Sequence, residues 1–287
     1  MRLNDEMMRV LQCMMVPCRD NGSVFTVTDR LDAIAALLKD SEYIRVETDA
    51  LCHLYARKPL EELPETLVVF SAHVDCESHL TRFFAEEADG DGEMLRGTFD
   101  NAATDAALVY HMMQFGFAEH IVFAFTGDEE ENGRGAVTLA RFLKKKGKRI
   151  QLAIVTDVTE EAFDDAYVTL EKNFWEENDG KKLVSIIERI VRKWKFVPED
   201  PCDIPWYIPQ HAVIPQESAE DESWDYDEEE VPACSICVPV RGDMHSDAGV
   251  LMKAESFEYY INYLGKILVT LAFWDGWSPY PESDRRE

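Results

Sequence analysis

Five stretches of this 287-residue chain set metal-ligand residue types just past an apolar run or at a helix entrance. SAHVDC places His73 and Asp75 after the run Leu67–Ala72, and FTGDEEENGRGA places Glu129 and Glu130 after Ile121–Thr126. VTDVTEE places Asp157 after Leu152–Val155, VPVRGDMHSD places His245 after Cys234–Val240, and GTFDNAATDA sets Asp100 where a helix begins. Each has an ordinary reading when taken alone. Asp100 is then a helix N-cap, Asp157 a turn former and the Glu pair a solvated face. Their recurrence, four times at a strand end, is what points to a shared site, because ligands of open α/β sheets bind outside the carboxyl ends of the strands.

The elements that must hold these residues alternate between strand and helix patterns, which predicts an α/β layered domain. An amphipathic helix capped by Asn4 carries Met7, Met8, Leu11 and Met15, and a second, capped by Thr28, carries Leu31, Ile34, Ala35 and Leu38. Residues 43–57 read as a hairpin around Asp49, and residues 86–98, acidic and Gly-rich, as a loop. Helices are predicted over Asn101–Phe115 and Gly135–Lys146, a further strand over Tyr167–Leu170, and a helix through Leu183, Ile187, Ile190 and Trp194. Phe257, Ile261, Leu264, Leu268 and Leu271 mark a last core helix. Residues 197–232 hold six prolines, and nine acids fall between Glu217 and Glu230, so this insertion reads as a solvated loop, with partner docking or substrate gating as the sharper alternative.

Composition removes other functions. Lys plus Arg number 29 against 56 Asp plus Glu, and the net charge of −27 argues against nucleic acid and anionic membrane as partners. Seven scattered cysteines do not form a secreted disulfide framework, and Cys234-x-x-Cys237 and Cys76 read as packing residues. The N-terminus lacks the basic start and apolar core of a signal peptide, and no apolar run is long enough to span a bilayer, so a cytoplasmic location is expected. Neither a Gly-x-Ser-x-Gly elbow nor a phosphate-binding glycine loop occurs.

Taken together, SAHVD, GTFDNAA, DEEENGRGA and the early ETDALCHLYAR segment resemble the co-catalytic di-zinc exopeptidase clan of aminopeptidases, carboxypeptidases and amidohydrolases. VPVRGDMHS is most similar to the lidded, self-assembling aminopeptidase branch. The resemblance implies one catalytic domain over residues 1–287, a three-layer αβα sandwich on a mixed, mostly parallel sheet. It implies two divalent ions, zinc first and cobalt or manganese as substitutes, with His73 on one, His245 on the other and Asp100 bridging. Glu130 and Asp157 complete the two sets, Asp75 orients His73, and Glu129 is the general base. The implied activity is removal of N-terminal residues from small peptides, with assembly into a homo-oligomer in the same branch. The alternatives are a carboxypeptidase or N-acyl amino acid amidohydrolase on the same site, or an inactive metal-binding protein that docks partners through its acidic run.

Three departures stand out. Asn132 occupies the glycine position after the Glu pair and Gly133 follows it. Asp128 lengthens the acidic run, so a one-residue slip would exchange roles among Asp128, Glu129 and Glu130. Only residues 74–99 separate the first His from the bridging Asp, too few for the branch's lid.

Overall fold

In this computed structural model, residues 5–16, 28–76, 83–89, 92–173, 187, 211–214 and 222–273 are described. The chain starts with α1 (Asp5–Met14) and α2 (Thr28–Leu38), then the antiparallel pair β1 (Ile44–Val46) and β2 (Cys52–Ala56), the hairpin expected around Asp49. β3 (Thr66–His73) leads to β4 (Phe83–Asp89), β5 (Gly92–Gly97) and α3 (Ala102–Gln114). β6 (Ile121–Thr126), the short α4 (Glu129–Asn132), α5 (Arg134–Lys145), β7 (Arg149–Thr159) and β8 (Val168–Asn173) follow. β9 (His211–Ile214), α6 (Ser223–Asp227), β10 (Ala233–Arg241), β11 (Val250–Lys253) and α7 (Ala254–Ala272) complete it.

The strands form one sheet in the order β1-β2-β6-β3-β7-β10-β11-β5-β4, with β8 and β9 joined at β10. Its centre, β6-β3-β7-β10, is parallel throughout, and the flanks are antiparallel apart from the parallel β8–β9 pair. β10 spends its free edge twice, pairing β8 through Ala233–Cys237 and β11 through Val240–Arg241. Central strands are apolar on both faces because helices cover both. Val68, Phe70 and Ala72 of β3 enter the core shared with α1, α2, α3 and α7, while Leu67 and Val69 face the core shared with α5 and α6. This is the expected three-layer αβα sandwich.

Two expectations are corrected. Residues 86–98, read as a loop, lie largely in the β4–β5 hairpin, where Glu87 pairs with Met94 and Asp89 with Gly92. Glycine and acidic residues marked its turn, and Met94 and Leu95 are buried on the outgoing strand. The 197–232 insertion also contains structure: β9, α6, and the buried side chains of Glu222 and Tyr226. The Leu183–Trp194 helix falls outside the described residues except for Ile187, which is helical and buried. Cys234 and Cys237 are buried thiols of the core. Among the described residues no helix is long and apolar enough to cross a membrane.

α7 packs on α3 through a close approach at Gly265, where a Cβ would lie 2.6 Å from Cε1 of His111. His111 Nε2 donates to the Ile261 carbonyl at 2.8 Å, and burial holds the imidazole pKa down at about 4 against the opposing pull of that bond. Between the ordinary value of 6.5 and about 4, the unfolded chain binds a proton that the folded chain does not. Stability present above the upper limit is therefore lost as the pH falls, by about 3 kcal/mol from this residue. Urea titrations across that window should show His111→Gln, whose amide still reaches Ile261, with a shallower pH slope than the wild type. Equal slopes would assign the acid sensitivity elsewhere.

Candidate metal centre

Strand register brings the chemical residues to one end of the sheet. His73 closes β3 opposite Thr126 of β6, and Asp157 of β7 lies opposite Cys237 of β10. Beyond β6 the chain turns through Asp128 (φ 66°) into α4, which begins with Glu129 and Glu130. Asp100 sits just ahead of the Asn101 cap of α3, next to a cis peptide. His245 hangs in the β10–β11 turn, its N–H bonded to Asp243 Oδ1 at 3.2 Å.

Hydroxyl and amide side chains under the site tie these strand ends together. Thr126 Oγ1 donates to the Ala72 carbonyl at 3.2 Å, and Thr156 Oγ1 to the Ser71 carbonyl at 3.2 Å. Asn101 Nδ2 and Thr104 Oγ1 both donate to the Thr156 carbonyl, at 2.7 and 2.9 Å. The α3 entrance is thereby bonded to β7, and β7 and β6 to β3. Sequence reasoning did not single out these four residues: strand-end threonines look like ordinary β-formers, and Asn101 like an ordinary cap.

Above this platform two groups of ligand atoms meet at Asp100. His73 Nε2 is 3.1 Å from Asp100 Oδ1 and 3.6 Å from Asp157 Oδ1. His245 Nε2 is 3.7 Å from Asp100 Oδ2 and 3.4 Å from Glu130 Oε2. The triads His73–Asp100–Asp157 and Asp100–Glu130–His245 each have ligand atoms within 4.8 Å of one another, tight enough to hold a cation. Asp100 thus offers one oxygen to each. Glu129 stands beside them, its Oε2 at 4.0 Å from His73 Nε2. The site is buried on the His73 side and open on the other, where the His245 side chain is 49% exposed.

Asp75, two residues beyond His73, faces its far nitrogen: His73 Nδ1 lies 3.5 Å from Asp75 Oδ1. Both atoms are buried without a formed hydrogen bond, and Asp75 Oδ2 accepts from the Glu130 N–H at 3.2 Å. Burial raises the Asp75 pKa, but His73 and the Glu130 and Glu129 amides outweigh it and hold the carboxyl low. Burial likewise disfavours charge on His73, yet Glu129, Asp157 and Asp100 hold its pKa well above the ordinary value. Glu129 and Glu130 are pushed up by burial first, with Asp100 and Asp157 adding like charge.

The donor set fits a pair of divalent ions. Burial and the neighbouring carboxylates raise the pKa of Glu129 and Glu130 around two imidazoles, and cations relieve that crowding. In the acidic run, Asp128 is engaged by Arg134 Nε and by Asn132 Nδ2 at 3.2 Å, while Glu129 and Glu130 form a third possible ligand group with His73. The displaced glycine serves the same loop: Gly133 (φ 62°) ends α4 in the left-handed region and starts α5.

Residues 55–195, just under half of the chain, match the model of Peptidase family M28, a span that contains six of the seven site residues and not His245. No curated protein matches the chain by sequence. Solved structures resemble it in fold. The TET aminopeptidase of the marine sediment archaeon Thaumarchaeota archaeon SCGC AB-539-E09 is 10% identical with a TM-score of 0.68, covering 92% of this chain and 97% of its own. The Legionella pneumophila LapA aminopeptidase is 12% identical with a TM-score of 0.62, over 94% of this chain and 71% of its own. BSAP, a zinc aminopeptidase from Bacillus subtilis, is 12% identical with a TM-score of 0.52, over 77% of this chain and 49% of its own. The match to a peptidase family model over residues 55–195 and the fold shared with solved aminopeptidases both support a metal-dependent peptidase.

Proposed function

We propose that the chain is an aminopeptidase acting on small peptides, with residues 1–287 as one catalytic domain. The observation that carries this reading is Asp100, whose two oxygens face His73 with Asp157 on one side and His245 with Glu130 on the other. His73, Asp100 and Asp157 would hold one ion, and Asp100, Glu130 and His245 the second; carboxylate and imidazole ligands suit zinc, the metal BSAP is named for. When bound, the pair supplies a Lewis acid for the scissile carbonyl and lowers the pKa of water.

The remaining work belongs to side chains. Asp75 orients His73 from behind, as carboxylates behind a liganding imidazole do. Glu129 lies at the edge of both ligand groups and is partly open to solvent, with its side chain 18% exposed. It takes the proton of the attacking water and returns it to the leaving amine. The chain's net charge of −27 favours a substrate that presents a protonated α-amine.

Substrate polarity tests this assignment. Zinc-loaded protein should hydrolyse leucine p-nitroanilide and shorten peptides from the N-terminus, while leaving the N-acetylated forms intact. Release of C-terminal residues, or cleavage of blocked substrates only, would assign the site to a carboxypeptidase or an N-acyl amino acid amidohydrolase instead.

A further inference from the structure

Glu222 is an acid for which the hydrolytic account has no use, and it is 1% exposed. It belongs to the run of nine acids between 217 and 230, whose composition favours water. Yet Ser71 Oγ donates to Glu222 Oε2 at 2.8 Å, and Tyr226 Oη donates to Ser71 Oγ at 2.9 Å. All three side chains are buried. Burying a carboxyl costs stability that an apolar side chain would not, so packing alone does not account for it. Ser71 precedes His73 by two residues on β3, which puts both side chains on one face of the strand.

Within the next turn, Asp225 packs on the loop that carries the Glu pair. A Cβ on Gly133 would lie 1.9 Å from Asp225 Oδ1, so this contact exists only because residue 133 is glycine. The carboxylate sits at the N-terminus of the 12-residue α5, where a helix favours negative charge. Glu229 then fastens the segment to α5 through Arg141 at 2.6 Å and Lys144 at 3.8 Å.

We propose that the acidic segment around α6 is a positioning element for the metal centre, Glu222 acting through Ser71 on the His73 end of β3 and Asp225 acting through Gly133 on the Glu129–Glu130 turn. The inference rests on the metallopeptidase reading. It predicts two separable effects, one for each contact.

The test is a chelator titration of the zinc-loaded full chain, following zinc release with a metallochromic indicator. Glu222→Leu should weaken one of the two zinc equivalents by about tenfold to a hundredfold and leave the other within about threefold. Glu222→Gln, whose amide oxygen still accepts from Ser71, should restore it. Ser71→Ala, which removes the donor with little change in volume, should repeat the selective loss even if the leucine variant fails to fold. Asp225→Ala should spare that equivalent and lower kcat by about tenfold at a KM within about twofold. Unchanged zinc release in both Glu222→Leu and Ser71→Ala would overturn the proposal, as would loss of both equivalents in step with a fall in Tm. A wild type that holds two zinc ions and cleaves peptides while these variants match it sinks this inference alone. A wild type that holds none, or cleaves none when loaded, sinks the metallopeptidase reading itself.

Discussion

Glu129→Gln should lower kcat by about a thousandfold or more while zinc content and KM stay near the wild-type values, since a positioned acid–base group contributes about 10²–10⁴. The substitution keeps the side chain's size and one of its oxygens, and removes only the capacity to take a proton. Glu129 opens α4 at the mouth of the site, and the triads His73–Asp100–Asp157 and Asp100–Glu130–His245 exist without it. Metal retention with lost turnover is therefore the signature of a base, and it separates Glu129 from its neighbour. Glu130→Gln should weaken metal binding, because Glu130 Oε2 lies 3.4 Å from His245 Nε2. A loss below about tenfold in Glu129→Gln would remove the residue from the proton path.

Asp100→Ala should empty both metal positions at once and bring activity to background. One carboxylate divides its oxygens between His73, at 3.1 Å, and His245, at 3.7 Å, so no other single residue serves both triads. Asp157→Ala, by contrast, removes a ligand from the His73 triad alone and should halve the zinc content at saturation. Removing Asp100 also takes away a negative charge that raises the pKa of Glu129 and Glu130. The metal-free Asp100→Ala protein should accordingly melt no lower than the metal-free wild type, while the rise in Tm on adding zinc disappears. Elemental analysis and calorimetry on both forms read the two effects separately. Retention of two ions by Asp100→Ala would dissolve the shared-ligand geometry.

Much of this architecture was legible in the sequence, for a physical reason. Strands buried on both faces need unbroken apolar runs, so Leu67–Ala72 and Ile121–Thr126 announced themselves, and the polar residues that end them stood out. What stayed hidden depends on partners distant in the chain. The β4–β5 hairpin looked like a loop because charge and glycine set its composition, while its stability comes from pairing with β11. Glu222 looked solvated among its acidic neighbours, and only the fold shows Ser71, 151 positions away, meeting it. The threonine platform carries no local signature, since its meaning lies in which carbonyls it reaches. Gly133 could be read as a displaced glycine, but not as the surface against which Asp225 packs.

The most direct test of the central claim is the number of metal ions per chain. Protein purified without chelators, saturated with zinc and gel-filtered, should carry two ions per chain by elemental mass spectrometry, falling to none in Asp100→Ala. A wild-type chain that retains no ion after saturation with zinc, cobalt or manganese would contradict the account, since the two triads around Asp100 would then be an acidic cluster and not a metal centre.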